Sequence, residues 1–117
     1  MQLPVRISLR LDLASGGRVG PGKIALLEAI AETGSIAGAA RVLGMSYPRA
    51  WKLVEDLDAA LGTAAVARAP GGQRGGGAEL TTAGKAIVAR YRELEAMAQQ
   101  HAGPPPAQRR RSRKPKA

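Results

Sequence analysis

The order of apolar and polar positions divides the chain into a strand, three short helices, a hairpin and a long helix. Val5, Ile7, Leu9 and Leu11 alternate with Arg6, Ser8, Arg10 and Asp12, the period-2 pattern of a half-buried strand. Gly16, Gly17, Gly20 and Pro21 then break the chain. From Gly22 to Thr33 the residues Ile24, Leu27, Ile30 and Ala31 recur at helical spacing, and Gly34 is a natural stop. Ser35 is placed to cap a second helix with Ile36, Ala39, Ala40 and Leu43 as its inner stripe, closed by Gly44.

Only Gly44-Met45-Ser46 separates that helix from a third, capped by Ser46. Pro48 is tolerated in its first turn because amide hydrogens there have no intrahelical partner. Ala50, Leu53, Val54, Leu57 and Leu61 gather on one face, and Pro48, Arg49, Lys52, Asp56 and Ala59 on the other. Ala64 to Arg68 and Ala78 to Leu80 read as two short strands joined by a loop rich in glycine. Thr81 or Thr82 caps a long helix to about Gln100, with Ile87, Val88, Tyr91, Leu94 and Met97 as its stripe.

This order predicts a mainly α fold with a small β component: a winged helix-turn-helix with an N-terminal strand and a long C-terminal helix. The first helix of the tight pair braces the second, whose N-terminal half is presented to a DNA major groove. Two regions are expected, a domain over residues 1–102 and a disordered Pro/Arg/Lys-rich tail over 103–117.

Charge changes this picture less than its sum suggests. The net charge is +9 and the pI about 11.1. Residues 109–116 hold six cations and no acid, which leaves twelve cations against nine acids, a net +3, over residues 1–108. The expected domain is only mildly basic, and the tail is either a solvated extension or an arm with sequence-independent attraction for phosphate.

Candidate chemistry is sparse. No cysteine and one histidine, His101, give no basis for a thiolate metal site, and neither metal nor cofactor is expected. Gly84-Lys85 does not complete a phosphate-binding loop, because Glu79 stands where the first glycine is required and Ala86 follows the lysine. Glu93 and Glu95 point apart on a helix, and Glu28 with Glu32 reads as a solvated edge, so catalysis is not expected.

The segments "LLEAIAETGSIAGAARVLGMSYPRAWKLVEDL", "GGQRGGGAEL" and "LTTAG" together resemble the N-terminal DNA-binding domain of the molybdate-responsive regulators of the ModE type, itself similar to the LysR-type winged helix. The resemblance runs from about Val5 to Met97, and Ser-Tyr-x-x-Ala-Trp followed at this distance by the glycine-rich loop is its specific part. It implies a cytoplasmic transcriptional regulator that binds a palindromic operator in double-stranded DNA as a homodimer. The recognition helix, about 46–61, would enter the major groove, with the wing, about 64–80, on the backbone or minor groove. Ser46, Tyr47, Arg49 and Lys52 match the start of that helix, and Gly71 to Gly77 the wing. Pro48 stands where a polar or basic residue is expected. Molybdate is sensed in this family by domains that follow the long helix, so molybdate binding is not expected in this chain, nor is contact with a membrane.

Residue by residue, Arg49 and Lys52 are the preferred base or phosphate contacts, near the positive end of the helix dipole. Glu55, Asp56 and Asp58 would repel phosphate and tilt the far half of the helix away. Ser46 has a capping role that needs no DNA. Tyr47 is open between a phosphate anchor and a half-buried brace, and Trp51 reads as packing at the edge of the core stripe. Gln73 and Arg74 lie at the wing tip, where arginine either reaches DNA or stays in solvent. Ile87, Tyr91, Leu94 and Met97 outrun what three helices can cover and are expected to pack against a second copy. Two further readings remain from the sequence: a protein-interaction module that keeps the core without operator binding, and a nonspecific binder driven by the tail.

Overall fold

A computed structural model describes residues 3–69 and 77–107. The elements run β1 (Leu11–Asp12), β2 (Arg18–Val19), α1 (Pro21–Thr33), α2 (Ile36–Leu43), α3 (Tyr47–Leu61), β3 (Val66–Arg68), β4 (Ala78–Leu80) and α4 (Thr82–Ala102). Two antiparallel hairpins result, pairing Leu11 with Val19 and Asp12 with Arg18, and Val66, Ala67 and Arg68 with Leu80, Glu79 and Ala78.

The N-terminal alternation is real, but its partner is a helix. Ile7, Leu9, Leu11 and Leu13 are half-buried between exposed neighbours, yet only Leu11 and Asp12 join a sheet. Side chains of α4 satisfy the preceding backbone instead. The Ile7 amide donates to Gln99 Oε1 at 2.8 Å, Gln99 Nε2 donates to the Val5 carbonyl at 2.9 Å, and Tyr91 Oη donates to the Leu9 carbonyl at 2.9 Å. A carboxamide that both accepts and donates can replace a ladder partner.

Helix α1 begins at Pro21, which needs no amide partner there, and ends on Gly34 at φ 79°. It is enclosed on two sides, which corrects the single stripe expected of it. Ile24 and Leu27 join one core with Val19, Leu57, Ala65, Ile87 and Tyr91. Leu26, Ala29 and Ile30 join the other with Ile36, Ala39, Ala40, Ala50, Val54 and Ala78. Ala31, expected inside, is exposed. Burying each large aliphatic side chain contributes roughly 1.5–3 kcal/mol, so the two clusters clamp α1 as the axis of the molecule.

Helix caps fix the rest. Ser35 Oγ accepts from the Gly38 amide, Ser46 Oγ from the Arg49 amide and Thr81 Oγ1 from the Gly84 amide, each one replacing a bond the first helical turn lacks. Thr81 also ties α4 to the base of the β3–β4 hairpin, its hydroxyl donating to the Ala64 carbonyl at 2.7 Å and its amide to the Ala65 carbonyl at 2.9 Å. Gly84 lies so close to the Ala65 carbonyl that a Cβ there would collide with it. Leu43, placed inside by its spacing, is instead 36% exposed, because α2 ends before another element covers it.

Candidate nucleic-acid interface

The turn between α2 and α3 sets the site. Gly44 takes a left-handed conformation, φ 68°, and its amide closes back on the end of α2, while the Met45 amide bonds the Ala40 carbonyl at 3.0 Å. Ser46 then starts α3 in extended geometry with its hydroxyl 3.2 Å from the Arg49 amide. That bond occupies the Ser46 side chain, and Pro48 has no amide hydrogen to offer. The first turn of α3 therefore presents side chains rather than a row of free backbone donors.

Tyr47, Arg49, Trp51 and Lys52 are all exposed there. Arg49 meets no carboxylate among the described residues, whereas Lys52 Nζ lies 3.3 Å from Asp56 Oδ1 one turn later. Both partners of that pair are open to solvent, so the pairing contributes little and yields readily to a competing anion. Of the acids further along α3, Asp58 is held by the base of the hairpin, its Oδ1 accepting from the Ala65 amide at 2.8 Å, while Glu55 stays exposed.

Trp51 does not pack in the core as its position on the helix suggested. It is 41% exposed and meets Tyr47 edge to face, with ring centroids 6.3 Å apart and planes at 83°. Tyr47 is likewise open rather than a buried brace. The two rings form one wall of a groove of about 400 Å³ between α3 and the hairpin, lined also by Ile36, Val54, Arg68 and Ala78. Arg68 was not singled out from the sequence. Its signal was the end of β3, where the strand passes into the glycine-rich loop. Gln73 and Arg74, the expected wing contacts, lie outside the described residues, as do most of the basic tail and Gly71 to Gly76.

The four residues assigned to a second copy separate into two pairs. Ile87 and Tyr91 are buried within the chain, Tyr91 completely, because the N-terminal segment and α1 cover that part of α4. They are not available to another molecule. Leu94 is half-buried and Met97 is 58% exposed.

Beside them, one ion pair joins α4 to α1, and a second lies within α4. Arg92 donates to both oxygens of Glu28, at 2.8 and 3.0 Å, and to Glu95 Oε1 at 2.7 Å. Those bonds from Arg92 hold the Glu28 carboxyl below its ordinary range, and the two carboxylates in turn raise the Arg92 guanidinium. Burial, with the Glu95 carboxylate nearby, pushes the Tyr91 hydroxyl up. No three of His, Asp and Glu come together as a metal site among the described residues, and no helix there is long and apolar enough to cross a membrane.

Two helices crossing through a three-residue turn, followed by a two-stranded hairpin and a long helix, define a winged helix-turn-helix protein. Residues 22–85 match the family of bacterial regulatory helix-turn-helix proteins described as the lysR family. The chain belongs to that family. It is 48% identical over 82 residues to the molybdenum-pterin-binding protein MopB of Rhodobacter capsulatus, a match covering 70% of this chain and 30% of MopB. With the DNA-binding transcriptional dual regulator ModE of Escherichia coli K12 it shares 37% identity over 100 residues, covering 86% of this chain and 38% of ModE. The chain thus spans about a third of the length of these relatives. Among solved structures, the DNA-binding domain of CbnR in complex with DNA superposes with a TM-score of 0.54 at 30% identity, covering 68% of this chain and 86% of that one.

Proposed function

We propose that this chain is a sequence-specific DNA-binding transcriptional regulator whose α3 enters the major groove of double-stranded DNA. The observation that carries the reading is Arg49: a fully charged side chain, held at the first turn of a capped helix, facing solvent with no internal carboxylate partner among the described residues. Arginine in that position can grip guanine by two hydrogen bonds, a contact worth about 1–3 kcal/mol of discrimination. Lys52, Arg68 and, on the wing, Gln73 and Arg74 supply the surrounding contacts to phosphate or the minor groove, and Ser46 acts by holding the helix start. The names of the ModE relative and of the CbnR–DNA complex support the same reading.

The active form is a homodimer joined through the exposed part of α4, Leu94 and Met97, which places two recognition helices one DNA turn, or a multiple of it, apart. It works in the cytoplasm, by binding rather than by catalysis. Gel-shift titration of the protein against fragments of its source genome, followed by footprinting, tests both parts. The expected result is a preferred site protected as two patches of inverted sequence; equal affinity for all fragments overturns the reading. Met97→Glu is expected to shift sedimentation toward the monomer and weaken operator binding at least tenfold.

A further inference from the structure

Reading DNA through cations alone leaves the largest exposed feature of α3 without a role. Tyr47 and Trp51 are one turn apart, 48% and 41% exposed, and they hold each other edge to face. The helix buries Ala50, Val54, Leu57 and Ala60 for its packing, so neither ring is needed as core. At about 100° per residue they lie on the hairpin side of the exposed face, with Arg49 on the opposite flank and Lys52 between. Arg68 on β3 and Asp58 on α3 line the groove beside the rings, the Asp58 carboxylate already accepting from the Ala65 amide, and Lys52 follows along the exposed face. A polyanion with an apolar group on its surface is the complementary occupant.

The major groove displays one apolar substituent, the 5-methyl group of thymine. The edge-to-face pair presents ring carbon surface against which a methyl group can pack. We propose that Tyr47 and Trp51 form a thymine-methyl contact that determines sequence at a position beside the one read by Arg49. The inference rests on the proposed DNA-binding function and adds to it a second kind of base readout. It also gives a role to Pro48, which adds no amide donor beside Tyr47 at the helix start.

The test is a selection of duplexes from a randomised library prepared in parallel with thymidine and with deoxyuridine, which lacks only the methyl group. Site by site, each thymine of the selected sequence is then replaced by deoxyuridine and the affinity of the wild-type protein measured. One thymine in each half-site should lose about fourfold, the equivalent of about 0.8 kcal/mol. Trp51→Ala, checked for its fold by circular dichroism, should bring that ratio to about one while leaving discrimination at the guanine position intact. Equal affinity for thymine and deoxyuridine at every position overturns the inference and leaves the DNA-binding reading standing. The inference is also overturned by a ratio that persists in Trp51→Ala and in Tyr47→Ala. Absence of any selected sequence from the thymidine library overturns the function on which it rests.

Discussion

Two arginines, one on α3 and one on α4, differ in what the fold offers them. Arg92 on α4 is gripped by Glu28 and Glu95 and lies over the Tyr91 ring, its guanidinium 5.5 Å from the ring centroid. Arg49 on α3 has no carboxylate partner among the described residues and projects from a turn whose capping is already satisfied. The first is occupied with holding α4 on α1; the second has its hydrogen-bond donors free for a partner. Net charge does not separate them, and sequence position hardly does. What separates them is whether the fold itself provides the counterion, so the region around α1 and α4 should govern stability and the first turn of α3 should govern binding.

The strongest way to break that division is Tyr91→Ala. It removes a fully buried ring and the bond to the Leu9 carbonyl that holds the N-terminal segment on α4. A loss of about 3–5 kcal/mol is expected in denaturant unfolding, and DNA affinity should fall only as far as the unfolded fraction rises. A smaller effect sharpens the comparison. Glu28→Gln should cost at most about 1 kcal/mol, because both partners of the ion pair are more than a third exposed. Its pH dependence has a definite sign. The Glu28 carboxyl is held below the usual carboxylate range by Arg92, so its contribution is complete above that range and disappears as the pH falls through the lowered value. Wild type and Glu28→Gln should differ in unfolding free energy at neutral pH and converge in acid below pH 4.5.

The helix-turn-helix was legible in the sequence because its determinants are local. Ser35, Ser46 and Thr81 act on amides three residues away, and Gly34, Gly44 and Gly62 each take the left-handed conformation that ends a helix. Tertiary coverage was not legible. The alternation from Val5 to Leu11 predicts an extended, half-buried segment but carries no information on what it lies against, and here that is α4. For the same reason Ile87 and Tyr91 looked like an uncovered stripe. The β1–β2 hairpin, two residues per strand, is too short to leave a periodicity. Trp51 falls at the edge of the α3 core stripe, where a helical wheel cannot distinguish a ring covered by the next element from one left open by it. The structure leaves it open, because the hairpin forms the far wall of a groove rather than a lid. Arg49 and Lys52 needed no such coverage and were placed on the exposed face by angle alone.

On the proposed function, Arg49, without a carboxylate partner among the described residues, meets DNA, while the paired Arg92 on α4 serves the fold. Parallel titrations of Arg49→Ala and Arg92→Ala against the preferred duplex, each with a thermal melt, test this division most directly. The account predicts that Arg49→Ala loses about 5–150-fold in affinity at an unchanged midpoint, and that Arg92→Ala lowers the midpoint by a few degrees while the folded protein keeps its affinity. Equal affinity for wild type and Arg49→Ala, or a larger loss of binding in Arg92→Ala at temperatures where it is fully folded, would contradict it.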